Sequence, residues 1–409
     1  MEDQRGSGAG GLESRRIGKE TEVLGRNDLR TPCYVIREKK LRENLEILKA
    51  LREGTGCHIL LAQKAFSMYS VYPLIGEYLD GATASGLYEA KLGYEEMGKE
   101  NHIFSPAYKE EEMPEILRMC DHIIFNSPAQ FRRYKAQVRK YAAKNGCTRS
   151  MGLRINPECS TQEGHAIYDP CAPYSRLGTT LERFVEDLTE DEIRELDGLH
   201  FHTLCEQGAD ALETTLKVVE EKFGRWLPQM KWVNFGGGHH ITREGYDLEL
   251  LKRCIRHISE AYGAEVYLEP GEAVALNAGE LITEVLEIVD NGRKTAILDA
   301  SAACHMPDVL EMPYRPPLKD AGEPGSRTLP YTYRLAGPTC LAGDVIGDYA
   351  FDHPLAYKER LEFQDMAIYT MVKNNTFNGM RLPDIALERE NGTCEIIRTF
   401  GYDDFKSRL

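Results

Sequence analysis

The sequence predicts an α/β protein in which a (β/α)8 barrel leads into a second, all-β domain. Three observations carry this expectation. Eight short apolar runs alternate with amphipathic stretches from about residue 38. Polar residues and glycines gather just after those runs, and the texture changes to hairpin signals after residue 273. Parallel strands need long crossovers between them, whereas antiparallel strands need only a tight turn.

In chain order, TPCYVI at 31–36 reads as a strand that joins the second domain before the chain enters the barrel. The barrel runs are HILLAQK (58–64), GATAS (81–85), HIFS (102–105), HIIFN (122–126), MGLRIN (151–156), GLHFHT (198–203), KWVNFGG (231–237) and EVYLEP (265–270). Between them, stretches such as SPAQFRRYKAQVRKYAAKNG and YDLELLKRCIRHISEAYG close at Gly, as helix C-termini do. The count alone leaves a doubly wound open sheet as an alternative. Residue placement favours the barrel. Lys64, Ser85, Arg154, His202, Gly236 to Gly238 and Glu269 all fall at C-terminal strand ends, where barrel active sites collect. Beyond residue 273, VLEIVDNGRKTAILD and IALERENGTCEIIRTF read as hairpins through Asn291-Gly292 and Asn391-Gly392. The expected boundaries are a disordered tail over 1–28, a barrel over 38–273, and a β domain from 29–37 and 274–409.

Composition excludes several classes. A chain of 409 residues exceeds one ordinary core, and its 42% hydrophobic content is that of a globular protein. A net charge of −15 opposes non-specific contact with nucleic acid or anionic membranes. It suits a cationic small substrate, though many acidic enzymes have none. Eleven cysteines include no CxxC pair, and Cys159, His165 and Cys171 share a Pro-, Asp- and Ser-rich loop without zinc spacing. No metal is expected, and the cysteines fit a reducing cytoplasm. No apolar run reaches 18 residues, and the first 20 carry charges and glycines where a signal peptide needs an apolar centre.

Three strings stand out chemically: AQKAF (62–66), NFGGG (234–238) and LEPGE (268–272). Lys64 can form a Schiff base, and it would be the more reactive if partly desolvated at a barrel mouth. Gly236, Gly237 and Gly238 let backbone N–H groups approach phosphate oxygens. Glu269, at the end of the eighth run, could keep a pyridine nitrogen protonated. Those are the needs of pyridoxal 5'-phosphate. Taken singly, each residue has a plainer reading: a surface lysine, a tight loop, a solvated acid, and for His202 a satisfied core histidine.

Together with HFHTLCE, GPTCLAGD and YTMVKNNTFNG, these strings resemble the fold-type III pyridoxal-phosphate decarboxylases, and within them the carboxynorspermidine/carboxyspermidine decarboxylases. The resemblance runs in order from about residue 31 to the C-terminus. It implies an alanine-racemase-like barrel with a C-terminal all-β barrel domain. It also implies Lys64 as the Schiff-base lysine, His202 stacked on the cofactor ring, and Gly236 to Gly238 at the phosphate. Glu269 is then the partner of the pyridine nitrogen, Arg154 a neighbour of the cofactor, and Tyr369 a phosphate ligand. Cys340 would protonate the substrate carbon from a partner subunit, making the protein a homodimer with shared sites.

One departure is informative. Ornithine and diaminopimelate decarboxylases read E-P-G-R, and this chain has Glu272 in place of the arginine. That exchange turns the pocket negative. Glu272 and, by the resemblance, Asp308 would hold the ammonium groups of a carboxylated triamine. The implied reaction is loss of CO2 from carboxynorspermidine or carboxyspermidine to give norspermidine or spermidine. The alternatives are a diaminopimelate- or ornithine-type decarboxylase, a racemase, which needs a proton donor on the second face, and a non-catalytic regulator, which commonly lacks the lysine or the cysteine.

Overall fold

The computed structural model describes residues 23–162 and 166–409. Its strands are β1 (Val23–Leu24), β2 (Cys33–Arg37), β3 (His58–Ala62), β4 (Gly81–Ala84), β5 (Glu100–Phe104), β6 (His122–Phe125), β7 (Ser150–Arg154), β8 (Gly198–His200), β9 (Trp232–Asn234) and β10 (Glu265–Leu268). The chain continues through β11 (Gly279–Asp290), β12 (Lys294–Leu298), β13 (Tyr331–Ala336), β14 (Val345–Phe351), β15 (Arg360–Gln364), β16 (Asp384–Glu388) and β17 (Cys394–Arg398).

Strands β3 to β10 close into a parallel barrel, β10 pairing with β3, and all eight expected runs supply them. The surrounding helices bury one stripe each. Helix Glu38–Thr55 packs Leu41, Leu45, Leu48 and Leu51 inward at helical spacing and ends at Gly56 in the left-handed region. The barrel interior is itself filled, with Leu60, Ile124, Trp232 and Tyr267 forming a buried cluster. Trp232 fits because its neighbours are glycines. A Cβ on Gly198 would lie 2.1 Å from its ring, and one on Gly152 2.2 Å. At the N-terminal floor, Glu100 Oε1 accepts from His102 Nε2 at 2.7 Å and from the Tyr267 hydroxyl at 3.1 Å. The His102 and His122 rings stack 3.9 Å apart at 17°. Both rings bring Nε2 toward the same Glu100 Oε1, His102 at 2.7 Å and His122 at 3.6 Å, so the floor gathers two imidazoles and a carboxylate around one point.

The second domain is built as expected from the hairpins β11–β12 and β16–β17, with β2 lying between β11 and β16. Its nine strands form a mixed sheet, ordered β1-β17-β16-β2-β11-β12-β13-β14, with β15 added on β11. Pairing therefore branches at β11 instead of closing this domain into a second barrel. The expected tail is also too long. Residues 1–22 lie outside the described residues, but β1 pairs with β17, and Arg26 bridges Glu280, Glu362 and Glu388 at 2.6–2.9 Å. Three carboxylates around one guanidinium fix residues 23–28 to the sheet. The two domains meet at the C-terminal barrel face, where Tyr369 N–H donates to Ala65 O at 2.8 Å.

Candidate active site

Parallel strands deliver every strand-end residue to one face, and there Lys64, Ser85, Arg154, His202, Gly237 and Glu269 line a single cavity. Lys64 reaches into it from the end of β3. Its side chain is open to the cavity yet deep in the molecule. Burial lowers its pKa, and the Arg154 charge lowers it further. Both effects favour the free amine.

Glu269 is 7% exposed. Burial opposes its ionisation, but His200, with Nε2 3.4 Å from Oε2, and the Asn234 amide, donating to Oε1 at 2.8 Å, outweigh that cost. Its pKa is held at about 2, so it is a carboxylate at any working pH. His200 and His202 face the interior together because alternate strand residues share a side. Burial keeps His202 neutral, with Lys64 and Arg154 adding to the effect. Its Nδ1 accepts the Gly237 N–H at 2.9 Å, which leaves the proton on Nε2.

The glycine turn qualifies the reading from sequence. Gly236 and Gly238 have φ of 69° and 83°, and a Cβ on any of the three would lie within 2.5 Å of a carbonyl oxygen. Crowding thus demands glycine here whether or not a phosphate binds. Two of the three N–H groups are already used, Gly236 by Asn234 Oδ1 at 2.8 Å and Gly237 by His202. Only the Gly238 amide is left of the expected donors. Arg154 is buried, with its guanidinium 4.6 Å over the Phe104 ring and donating to the His202 carbonyl. Burial brings its pKa down to about 10, and it still carries its charge.

Outside this cavity lining, Tyr369 has a φ of 53°, a costly conformation for an aromatic residue. Burial raises its pKa, with Glu272, Glu206 and Asp308 adding negative charge nearby. Glu272 starts the short helix Glu272–Ala275 and meets His240 Nε2 at 3.1 Å. Asp308 is not the free acid expected, because Lys373 holds it in an ion pair and also reaches Glu311. Cys340 lies exposed in the turn between β13 and β14, its N–H donating to Asn378 Oδ1 at 2.7 Å. It does not line the cavity of its own chain.

Sequence reasoning missed three residues. His200 could have been found from its two-residue spacing to His202. Glu89, whose Oε2 accepts the Ser85 N–H at 2.6 Å, carries no signal beyond being an acid in a helix. Asp344 closes the GPTCLAGD string and accepts from Ser301, Thr339 and the Ala303 N–H, shaping the Cys340 turn. His165 lies outside the described residues. No described helix is long and apolar enough to cross a membrane.

Residues 33–367 match the family described as pyridoxal-dependent decarboxylase, C-terminal sheet domain. The chain is 45% identical to the carboxynorspermidine/carboxyspermidine decarboxylase of Campylobacter jejuni, over 93% of this chain and 98% of the relative. It is 41% identical to the carboxyaminopropylagmatine decarboxylase of Synechocystis sp., over 94% and 96%. A crystal structure of Campylobacter jejuni carboxynorspermidine decarboxylase complexed with norspermidine superposes with a TM-score of 0.85 at 44% identity, over 93% of this chain and all of that one. Diaminopimelate decarboxylase from Helicobacter pylori, at 18% identity and a TM-score of 0.74, shares the fold.

Proposed function

The chain belongs to the pyridoxal-dependent decarboxylases, and from that premise we propose that it releases CO2 from carboxynorspermidine, carboxyspermidine or both, forming a polyamine. It is a lyase of polyamine biosynthesis. The observation that carries the reading is one cavity holding a lysine biased toward its free amine, a permanently ionised carboxylate and a neutral histidine. These residues fit pyridoxal 5'-phosphate. Bound there, it supplies an electron sink for the bond to the departing CO2.

In this reading Lys64 would hold the cofactor at its aldehyde carbon, and Glu269 would keep the pyridine nitrogen protonated. The rigid His202 ring, pinned by the Gly237 amide, covers one face. Gly238 and Tyr369 hold the phosphate, with Arg154 supplying positive charge. Cys340 returns a proton to the α-carbon of the substrate. Its exposed position, away from its own chain's cavity, supports delivery to a second copy and so a homodimeric working form, and the free cysteines fit a reducing cytoplasm. Glu272, oriented by His240, holds a substrate ammonium. Asp308 takes part by exchanging Lys373 for a substrate ammonium.

The 41% identity to the Synechocystis relative favours a second reading, in which the far end of the substrate is a guanidinium. Decarboxylation measured side by side on carboxynorspermidine, carboxyspermidine, carboxyaminopropylagmatine, diaminopimelate and ornithine separates the two. Turnover confined to diaminopimelate or ornithine would refute both. Absorbance near about 420 nm, bleached by borohydride, reports the Lys64 link itself.

A further inference from the structure

The N-terminal floor of the barrel holds a second group of reactive side chains, which the proposed reaction does not use. Glu100 and His102 stand two residues apart on β5 and so share one face of the strand. His102 lies in register with His122 of β6, which sets the two imidazoles side by side. Three ligand atoms converge there. Glu100 Oε1 is 2.7 Å from His102 Nε2 and 3.6 Å from His122 Nε2, and the three groups can bring one ligand atom each within 4.8 Å of one another. The zinc spacings that lead one to expect no metal miss this group, because two members alternate along a strand and the third stands across the ladder.

We propose that Glu100, His102 and His122 form a site for one divalent transition-metal cation of the zinc class, held by Glu100 Oε1 and the two Nε2 atoms, with water on the open side. Two imidazoles and a carboxylate are a donor set for such ions, whereas Mg2+ and Ca2+ take oxygen ligands. The cation ties β5 to β6 beneath Trp232. The proposal is independent of the cofactor and of the reaction above.

Charge, orientation and proton accounting all suit a cation. Among the described residues no Lys or Arg pairs with Glu100, whose only ion-pair contacts are the two histidines. Burial opposes its ionisation, but the His102 hydrogen bond outweighs that cost and the group is a carboxylate. Burial keeps the His122 ring neutral, with a lone pair to offer. That ring is fixed between His102, 3.9 Å away, and Trp232, 5.0 Å away. The Tyr267 hydroxyl donates to Glu100 Oε1 at 3.1 Å and orients the carboxylate, as outer partners of metal ligands do. His102 Nδ1 is buried without a partner among the described residues. The proton on Nε2 can therefore shift to Nδ1 when Nε2 takes the cation, and none has to leave the protein. The 2.7 Å contact then opens to about 3.3 Å, the edge of a tetrahedron with zinc-length bonds. Glu100, 25% exposed at the barrel mouth, has room to make that shift.

The probe is Co2+, added to the full-length enzyme cleared of metal by chelator. Equilibrium dialysis counts the ions bound, and visible absorption reports the ligand type. One Co2+ per chain is expected, with no sulfur charge-transfer band, displaced by Zn2+ and not by Mg2+. Zn2+ should raise the thermal midpoint by about 2–4 °C. Glu100→Gln keeps the side-chain shape and can still accept from His102, and His122→Phe keeps the aromatic stack. Each should weaken Co2+ binding by more than the about 10–100-fold that losing an outer partner costs. Should His122→Phe fail to fold, Glu100→Gln decides. Wild type that binds no Co2+, binding that survives Glu100→Gln, or a sulfur-type spectrum overturns the proposal and leaves the floor as a hydrogen bond between Glu100 and His102.

Discussion

Replacing Glu269 by Gln removes one negative charge from the base of the cavity while keeping its shape. The Asn234 amide can still donate to the new side-chain oxygen, as it does to Oε1 at 2.8 Å. What disappears is the anion that His200 and Asn234 stabilise. Its pKa moves from the ordinary 4.5 to about 2, and at 7% exposure little of that is screened. The difference corresponds to about 3 kcal/mol committed to keeping the carboxylate charged. Because the folded value lies below the unfolded one, this stabilisation is complete above about pH 4.5 and is lost as the pH falls through about 2. A charge-assisted hydrogen bond to a protonated ring nitrogen is worth about 1.5–3 kcal/mol. At the upper end, kcat should fall roughly a hundredfold. The assay is CO2 release under saturating cofactor and substrate, with the cofactor absorbance recorded on the same sample. A kcat within about threefold of wild type, with cofactor bound, would refute the role given to Glu269.

Lys64→Ala and Cys340→Ala should each be nearly inactive and free of the other's defect. Mixed with demonstrated subunit exchange, they should recover toward about a quarter of wild-type activity, as random pairing of a two-fold dimer allows; no recovery would place both residues in one subunit's site. Glu272→Gln should lower kcat/KM on the carboxylated triamine by roughly ten- to a hundredfold without changing cofactor absorbance; a loss traced wholly to cofactor affinity would contradict the substrate role. Gly198→Ala should destabilise the barrel by about 1–3 kcal/mol through its clash with Trp232. A second change, Trp232→Leu, should return part of that loss in a double-mutant cycle, and strict additivity in chemical denaturation would show that the two do not touch.

The barrel was legible because period and punctuation agree: each apolar run is strand-length, and each helical stretch closes with its stop signal. Legibility failed where a contact comes from far along the chain. Arg26 belongs to the sheet through Glu280, Glu362 and Glu388, all more than 250 positions away, and nothing local marks it off from a tail. The same holds for branching at β11, whose strand-like sequence cannot say that it serves three neighbours. At the site, residue types and order identified the chemistry, but not how hydrogen bonds are spent. Gly236 and Gly237 offered two free donors on paper, and folding gives both to Asn234 and His202. Asp308 likewise looked free, and Lys373 has it.

The Trp232 ring lodged against Gly152 and Gly198, with Leu60 and Ile124 beside it, stoppers the barrel between its two ends. The reaction space is therefore a blind well. Among the described residues, the packed interior leaves substrate, carbon dioxide, water and polyamine to come and go by the doorway at the C-terminal face. The gas has to escape past the amine it leaves behind, and the histidines and glutamate below the stopper reach the chemistry only through the field they exert on Glu269. Whatever narrows the doorway then sets the timing of every species at once, so control over this enzyme is to be sought at its rim and not within its staves.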